Sequence, residues 1–78
     1  MSVKLINGVK NNFYYIQKIN LPAKTTKRLE ALGMTAGTKI TVLNKKRSAV
    51  LVEFRGTRFA LGKYIAENIN IINIEVKS

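Results

Sequence analysis

Arg28-Leu29-Glu30-Ala31-Leu32-Gly33-Met34-Thr35-Ala36-Gly37-Thr38-Lys39-Ile40-Thr41-Val42 is the stretch on which the fold of this 78-residue chain turns. It reads as a short helix, a glycine stop, a tight turn and a half-buried strand. Thr25 and Thr26 stand before it as candidate N-caps, because a threonine hydroxyl oxygen can accept an orphan backbone N–H. Leu29 and Leu32, three apart, mark the side of the helix expected to pack. Gly33 falls where helices close with a left-handed residue, a conformation that costs glycine no Cβ clash. Ala36-Gly37 fits the centre of a type II turn, with the glycine at positive φ. Ile40 and Val42 then alternate with Lys39, Thr41 and Leu43 at the period of a strand.

Outward from this stretch the chain reads as short strands. Val3, Leu5 and Val9 suit a first short strand or an ordered lead-in, with Asn7-Gly8 as a turn signal. Phe13-Tyr14-Tyr15-Ile16-Gln17-Lys18-Ile19 has the aromatic and β-branched composition of a strand. Apolar residues occupy both of its phases, so both faces are expected to be partly covered and the three aromatics to serve mainly as core. Asn20 to Lys24 reads as a loop holding the only proline. Asn44-Lys45-Lys46-Arg47-Ser48 reads as a basic hairpin connection. Ala49 to Arg55 is the clearest strand, with Val50, Val52 and Phe54 on one side and Leu51, Glu53 and Arg55 on the other. Gly56-Thr57 supplies a turn, Arg58 to Leu61 a returning strand, and Lys63 to Asn68 a single helical turn. Ile69-Asn70-Ile71 resumes a strand. The apolar phase then slips by one at Ile72, which predicts either a β-bulge or a departure of the last residues from the sheet.

The sum is one domain over residues 1–78: about five short strands, one helix and one helical turn. That pattern favours a small barrel or sandwich. No repeat, low-complexity segment or interdomain linker is present. The longest uncharged run, Ala31 to Thr38, is far too short to span a bilayer, and the N-terminus lacks the apolar stretch of a secretory signal. Without cysteine there is no disulfide, which suits a reducing cytoplasm.

Composition argues for binding over catalysis. Fourteen Lys and Arg stand against four Glu, with neither Asp nor His, for a formal charge of +10. Without His, Cys or Asp the common nucleophile–base pairs cannot be assembled, and the preferred nitrogen and sulfur metal ligands are missing. No catalytic, metal or cofactor site is therefore expected. The five glycines punctuate turns and form no phosphate-cradling run. The excess charge attracts polyanions: nucleic acid, anionic lipid or an acidic protein face. It runs along the whole chain, which argues for a solvated or steering surface more than for a dedicated nucleic-acid arm.

Two blocks carry a family resemblance. The stretch from Arg28 to Val42 resembles the signature of the FeoA family, ferrous iron transport protein A: a basic-Leu pair, Leu-Gly-Met, Pro-Gly-Thr and a strand. Val50-Leu51-Val52-Glu53-Phe54-Arg55-Gly56 with Phe59-Ala60-Leu61-Gly62 resembles its second block, and Ala66 and Ile69 match its closing positions. The similarity covers roughly residues 3–72. Ala36 departs from the family's proline, and residues 72–78 run past its usual end. The resemblance implies a mainly β, small SH3-like β-barrel acting in the cytoplasm, or peripherally at the inner membrane face. Its partner would be FeoB, a ferrous-iron transporter with a cytoplasmic GTP-binding domain. The matched Leu29, Leu32, Gly33, Gly37, Val52, Gly56, Leu61, Ala66 and Ile69 are accounted for by core and turn demands. Exposure and charge instead nominate Lys24, Lys27, Arg28 and Met34 around the helix, with Lys45, Lys46 and Arg47 at the hairpin tip, as partner-binding residues. The competing function is a nucleic-acid-binding or ribosome-associated basic module. A third, a free-standing relative of the SH3-like tail of metal-dependent repressors, predicts an internal Pro-rich ligand, which this chain lacks.

Overall fold

A computed structural model describes residues 2–74. Strand β1 (Ser2–Lys4) runs into a 3-10 turn (Leu5–Asn7), and β2 (Phe13–Ile19) leads to helix α1 (Ala23–Ala31). There follow β3 (Lys39–Lys46), β4 (Ala49–Phe54), β5 (Thr57–Gly62), the short helix α2 (Lys63–Glu67) and β6 (Ile69–Asn73). The six strands form one antiparallel sheet in the order β1-β6-β2-β3-β4-β5. The sheet curls over one core but does not close, so the barrel is an open one with β1 and β5 at its edges. The expected mainly β domain of about five strands is found, and the offered first short strand is β1, which pairs with β6.

The concave side holds the core: Leu5, Tyr14, Ile16, Leu29, Met34, Ile40, Val42, Val50, Val52, Phe54, Leu61, Ala66, Ile69 and Ile71. Alternation on β4 behaves as the sequence implies, with Val50, Val52 and Phe54 inward. The same alternation resolves β2. Tyr14 and Ile16 point in, and the Tyr14 hydroxyl accepts the Val9 N–H at 2.7 Å, which satisfies its one polar end. Phe13 and Tyr15 point out and stay 44% and 45% exposed, so only one of the three aromatics serves the core.

Several boundaries differ from the sequence reading. Helix α1 starts at Ala23, with Pro22 as N-cap, which places Thr25 and Thr26 inside it. Proline's fixed φ suits a helix entry, and the Thr26 hydroxyl donates back to the Leu21 carbonyl at 3.1 Å in place of capping. Leu32 is 50% exposed while Leu29 is buried, because Leu32 lies at the border of the apolar stripe beside Arg28. Strand β3 continues through Lys46, leaving only Arg47-Ser48 as the hairpin loop, and the next turn is Arg55-Gly56, not Gly56-Thr57. The predicted bulge is absent from β6. The register shifts instead on β2, between Ile16 and Lys18, and on β3, between Val42 and Asn44. Ile72 therefore keeps the strand phase and faces outward opposite Tyr15. Beyond Asn73 the Ile74 N–H still donates to the Phe13 carbonyl; the rest of the expected tail, 75–78, lies outside the described residues.

Candidate interaction surfaces

The end of α1 decides where its neighbours go. Gly33, at φ +101, donates to the Glu30 carbonyl, and the Met34 N–H donates to the Leu29 carbonyl, both at 2.9 Å. This is the paired hydrogen-bond closure of a Schellman motif, which brings the residue after the glycine back over the last turn. Met34 is thereby carried into the core with Leu29 and is only 1% exposed. It is a packing residue, and its nomination as a partner contact is corrected.

The other nominated residues are all exposed, but they form two sites. Lys24, Lys27 and Arg28 share the solvent face of α1 at three- and four-residue spacing. Lys45, Lys46 and Arg47 occupy the β3–β4 tip. The tip gains Lys63, whose N–H donates to the Ser48 carbonyl. The two clusters thus sit on different elements, one on helix α1 and one at the far end of β3.

A third cationic feature escaped the sequence reading. The turn Thr35-Ala36-Gly37-Thr38 closes through Thr38 N–H to Thr35 O at 3.0 Å, with Gly37 at φ +91 as expected. Ile16 N–H to Thr38 O and Gly37 N–H to Ile16 O staple the turn to β2. Beside it opens a cleft of about 530 Å³ lined by Thr35 to Lys39 and Arg55. The threonine hydroxyls are engaged locally, with each other and with the Gly33 carbonyl. Lys39 and Arg55 are left as the groups able to meet an anion.

Arg55 holds an unusual backbone, φ +54, with Gly56 at φ +75 in the two-residue β4–β5 loop. Positive φ at both positions is the type I′ geometry, which favours Asn, Asp or Gly in the first place. An arginine there costs about 1 kcal/mol. Its guanidinium packs over Gly33, Nη1 standing 3.2 Å from where a Cβ would project. Arg55→Asn is accordingly expected to raise the unfolding free energy by about 0.5–1 kcal/mol in a thermal or urea melt. No composition or spacing signal reveals this residue, because its role depends on a contact between the β4–β5 loop and Gly33, which closes α1.

Among the described residues no three His, Cys, Asp or Glu side chains converge, and no helix is long and apolar enough to cross a membrane.

The fold and these faces define a class: a small, strongly basic, SH3-like β domain with its cations displayed in separate patches. The family model described as the FeoA domain matches residues 9–73, and the chain belongs to that family. The match starts later than the roughly 3–72 read from the sequence. An iron uptake regulatory protein, FeoA, known from a crystal structure, is 24% identical, with 95% of this chain and 100% of that one covered at a TM-score of 0.85. FeoA from Chlorobium tepidum, a solution structure, is 19% identical over 97% of this chain and 74% of that one, at 0.87. A manganese-dependent transcriptional repressor shares the fold at 0.85 and 13% identity; the match covers 94% of this chain but 42% of the repressor. At these identities the structural likeness speaks for the fold. No curated protein matches the sequence.

Proposed function

We propose that this protein is a non-catalytic accessory or regulatory component of a bacterial ferrous-iron uptake system. It acts in the cytoplasm by docking on the GTP-binding domain of the membrane transporter FeoB. The observation that carries this reading is the FeoA-family match over residues 9–73, nearly the whole domain. The distributed cations support it as a steering surface. Like charge spread over separate patches raises encounter rates with an acidic partner without any one patch being the seat. Lys24, Lys27 and Arg28 on α1, with Lys45, Lys46 and Arg47 at the tip, perform this steering.

A tagged pull-down from native lysate, with and without nuclease, tests the reading. Recovery of the transporter regardless of nuclease supports it; recovery of nucleic-acid material that nuclease abolishes rejects it. Reversal of Lys27 and Arg28 to Glu is expected to slow association with the GTP-binding domain several-fold and flatten its salt dependence, with dissociation nearly unchanged. Unchanged association would remove the helix from the steering surface. Nucleic acid is the second reading, favoured by the exposed Phe13 and Tyr15 among cations. It predicts an affinity that falls steeply with salt, by about 0.7 in log–log slope for each single-strand phosphate neutralised.

A further inference from the structure

The outward face of the sheet carries an apolar block that the core does not need. Tyr15 on β2 stands opposite Ile72 on β6, and the next step of the same register sets Phe13 beside Ile74. Directly opposed residues share a face, so the four side chains form a two-by-two array in the middle of the sheet. Phe13, Tyr15 and Ile72 remain 44%, 45% and 37% exposed. Contiguous exposed apolar side chains with a polar rim mark interaction sites, whereas isolated ones do not.

The rim is cationic. Lys39 lies opposite Tyr15 and holds its Nζ 4.9 Å from the Phe13 ring centroid. Lys18 and Lys4 both stand opposite Asn70, one row further along the same face. Arg55 joins Lys39 across the cleft. The one carboxylate of this face among the described residues, Glu53, is engaged by Arg58 at 3.7 Å.

We propose that this outer face, Phe13, Tyr15, Ile72 and Ile74 rimmed by Lys39 and Lys18, is the docking seat for a protein segment bearing apolar side chains flanked by carboxylates. The proposal rests on the transporter reading and deepens it by naming the seat. A second copy of the chain is disfavoured, because two cationic rims would face each other on a protein of charge +10. Stacked bases fit less well: two of the four side chains are isoleucines without a π face, and one side of Phe13 already holds an ammonium. Anionic lipid shares the attraction to the cationic rim, and the vesicle titration below separates it from a protein segment.

Binding kinetics with the transporter's purified GTP-binding domain provide the test, using wild type, Phe13→Ala/Tyr15→Ala, Lys39→Glu and Lys27→Glu/Arg28→Glu. Parallel titrations use oligothymidylate and phosphatidylserine–phosphatidylcholine vesicles. The exposed positions make all variants expected to keep the wild-type melting temperature within a few degrees. The expected result is at least tenfold weaker binding for Phe13→Ala/Tyr15→Ala, through faster dissociation, a several-fold loss for Lys39→Glu, and unchanged dissociation for the helix reversal. Domain binding indifferent to Phe13, Tyr15 and Lys39 overturns the seat and leaves the transporter reading intact. No binding of the domain by wild type overturns both. Tighter binding of the oligonucleotide or vesicles through Phe13 and Tyr15 overturns the protein occupant.

Discussion

Met34→Ala is expected to lower the unfolding free energy by about 2–5 kcal/mol, the range for truncating a buried aliphatic or methionine side chain. Met34 is fully enclosed and meets the core through the α1 closure at Gly33 and Leu29. A domain of 78 residues has roughly 4–12 kcal/mol of stability in total, so the loss is a large fraction of it. Urea denaturation should show a lower midpoint with little change in slope, because the folded and unfolded surfaces are otherwise the same. Leu32→Ala, two residues earlier but half exposed, should change stability by no more than about 0.5 kcal/mol. A Met34→Ala protein with wild-type stability and impaired partner binding would falsify the core assignment and restore Met34 as a contact residue.

Gly8→Ala is expected to destabilise by about 1–3 kcal/mol through overpacking. The backbone at Gly8 is ordinary, φ −62 and ψ 146, so an alanine meets no conformational penalty there. It meets atoms. An added Cβ would lie 3.0 Å from Val42 Cγ2, 3.1 Å from the Leu5 carbonyl and 3.4 Å from Ile71 Cδ1. Val42 and Ile71 are fixed in the middle of β3 and β6, and the carbonyl accepts the Gly8 N–H at 2.9 Å. None can step aside cheaply. Gly37→Ala offers the contrast: a Cβ there meets open space, but φ is +91. Its cost, about 1 kcal/mol, is purely conformational. A Val42→Ala background should relieve part of the Gly8→Ala penalty and none of the Gly37→Ala penalty, and the two double-mutant cycles measure that difference. Equal coupling in both cycles would sink the steric account of Gly8.

The stretch from Arg28 to Val42 was legible almost throughout, because each of its signals is local. A helix closed by a left-handed glycine, a turn with glycine at its third position and a strand of period two need only the residues themselves and their near neighbours. The inward set of β4 and the returning β5 were legible for the same reason, and the family resemblance followed from these blocks. Met34 was misread because its placement comes from hydrogen bonds reaching back across the glycine, which turn an apparently exposed loop residue into the core. The helix caps were misread because a proline N-cap leaves no hydroxyl signature, and the pair of threonines looked like one. The nominated cations were identified correctly as exposed. They sit on two separate elements, helix α1 and the β3–β4 tip.

What the sequence determined by itself is therefore most of the elements, the inward-facing set of β4 and the charge. Hydrophobic periodicity and turn stereochemistry act over a few residues and survive without knowledge of the partner strand. Only the tertiary structure decided which apolar residues stay outside. Strand β6, from the far end of the chain, inserts between β1 and β2 and lays Ile72 beside Tyr15 on a face that no described helix covers. The same insertion brings Ile71 against Gly8 and makes a turn glycine a packing requirement. Burial is a property of what arrives from elsewhere in the chain, and no local pattern in residues 13–19 encodes the arrival of residues 69–73.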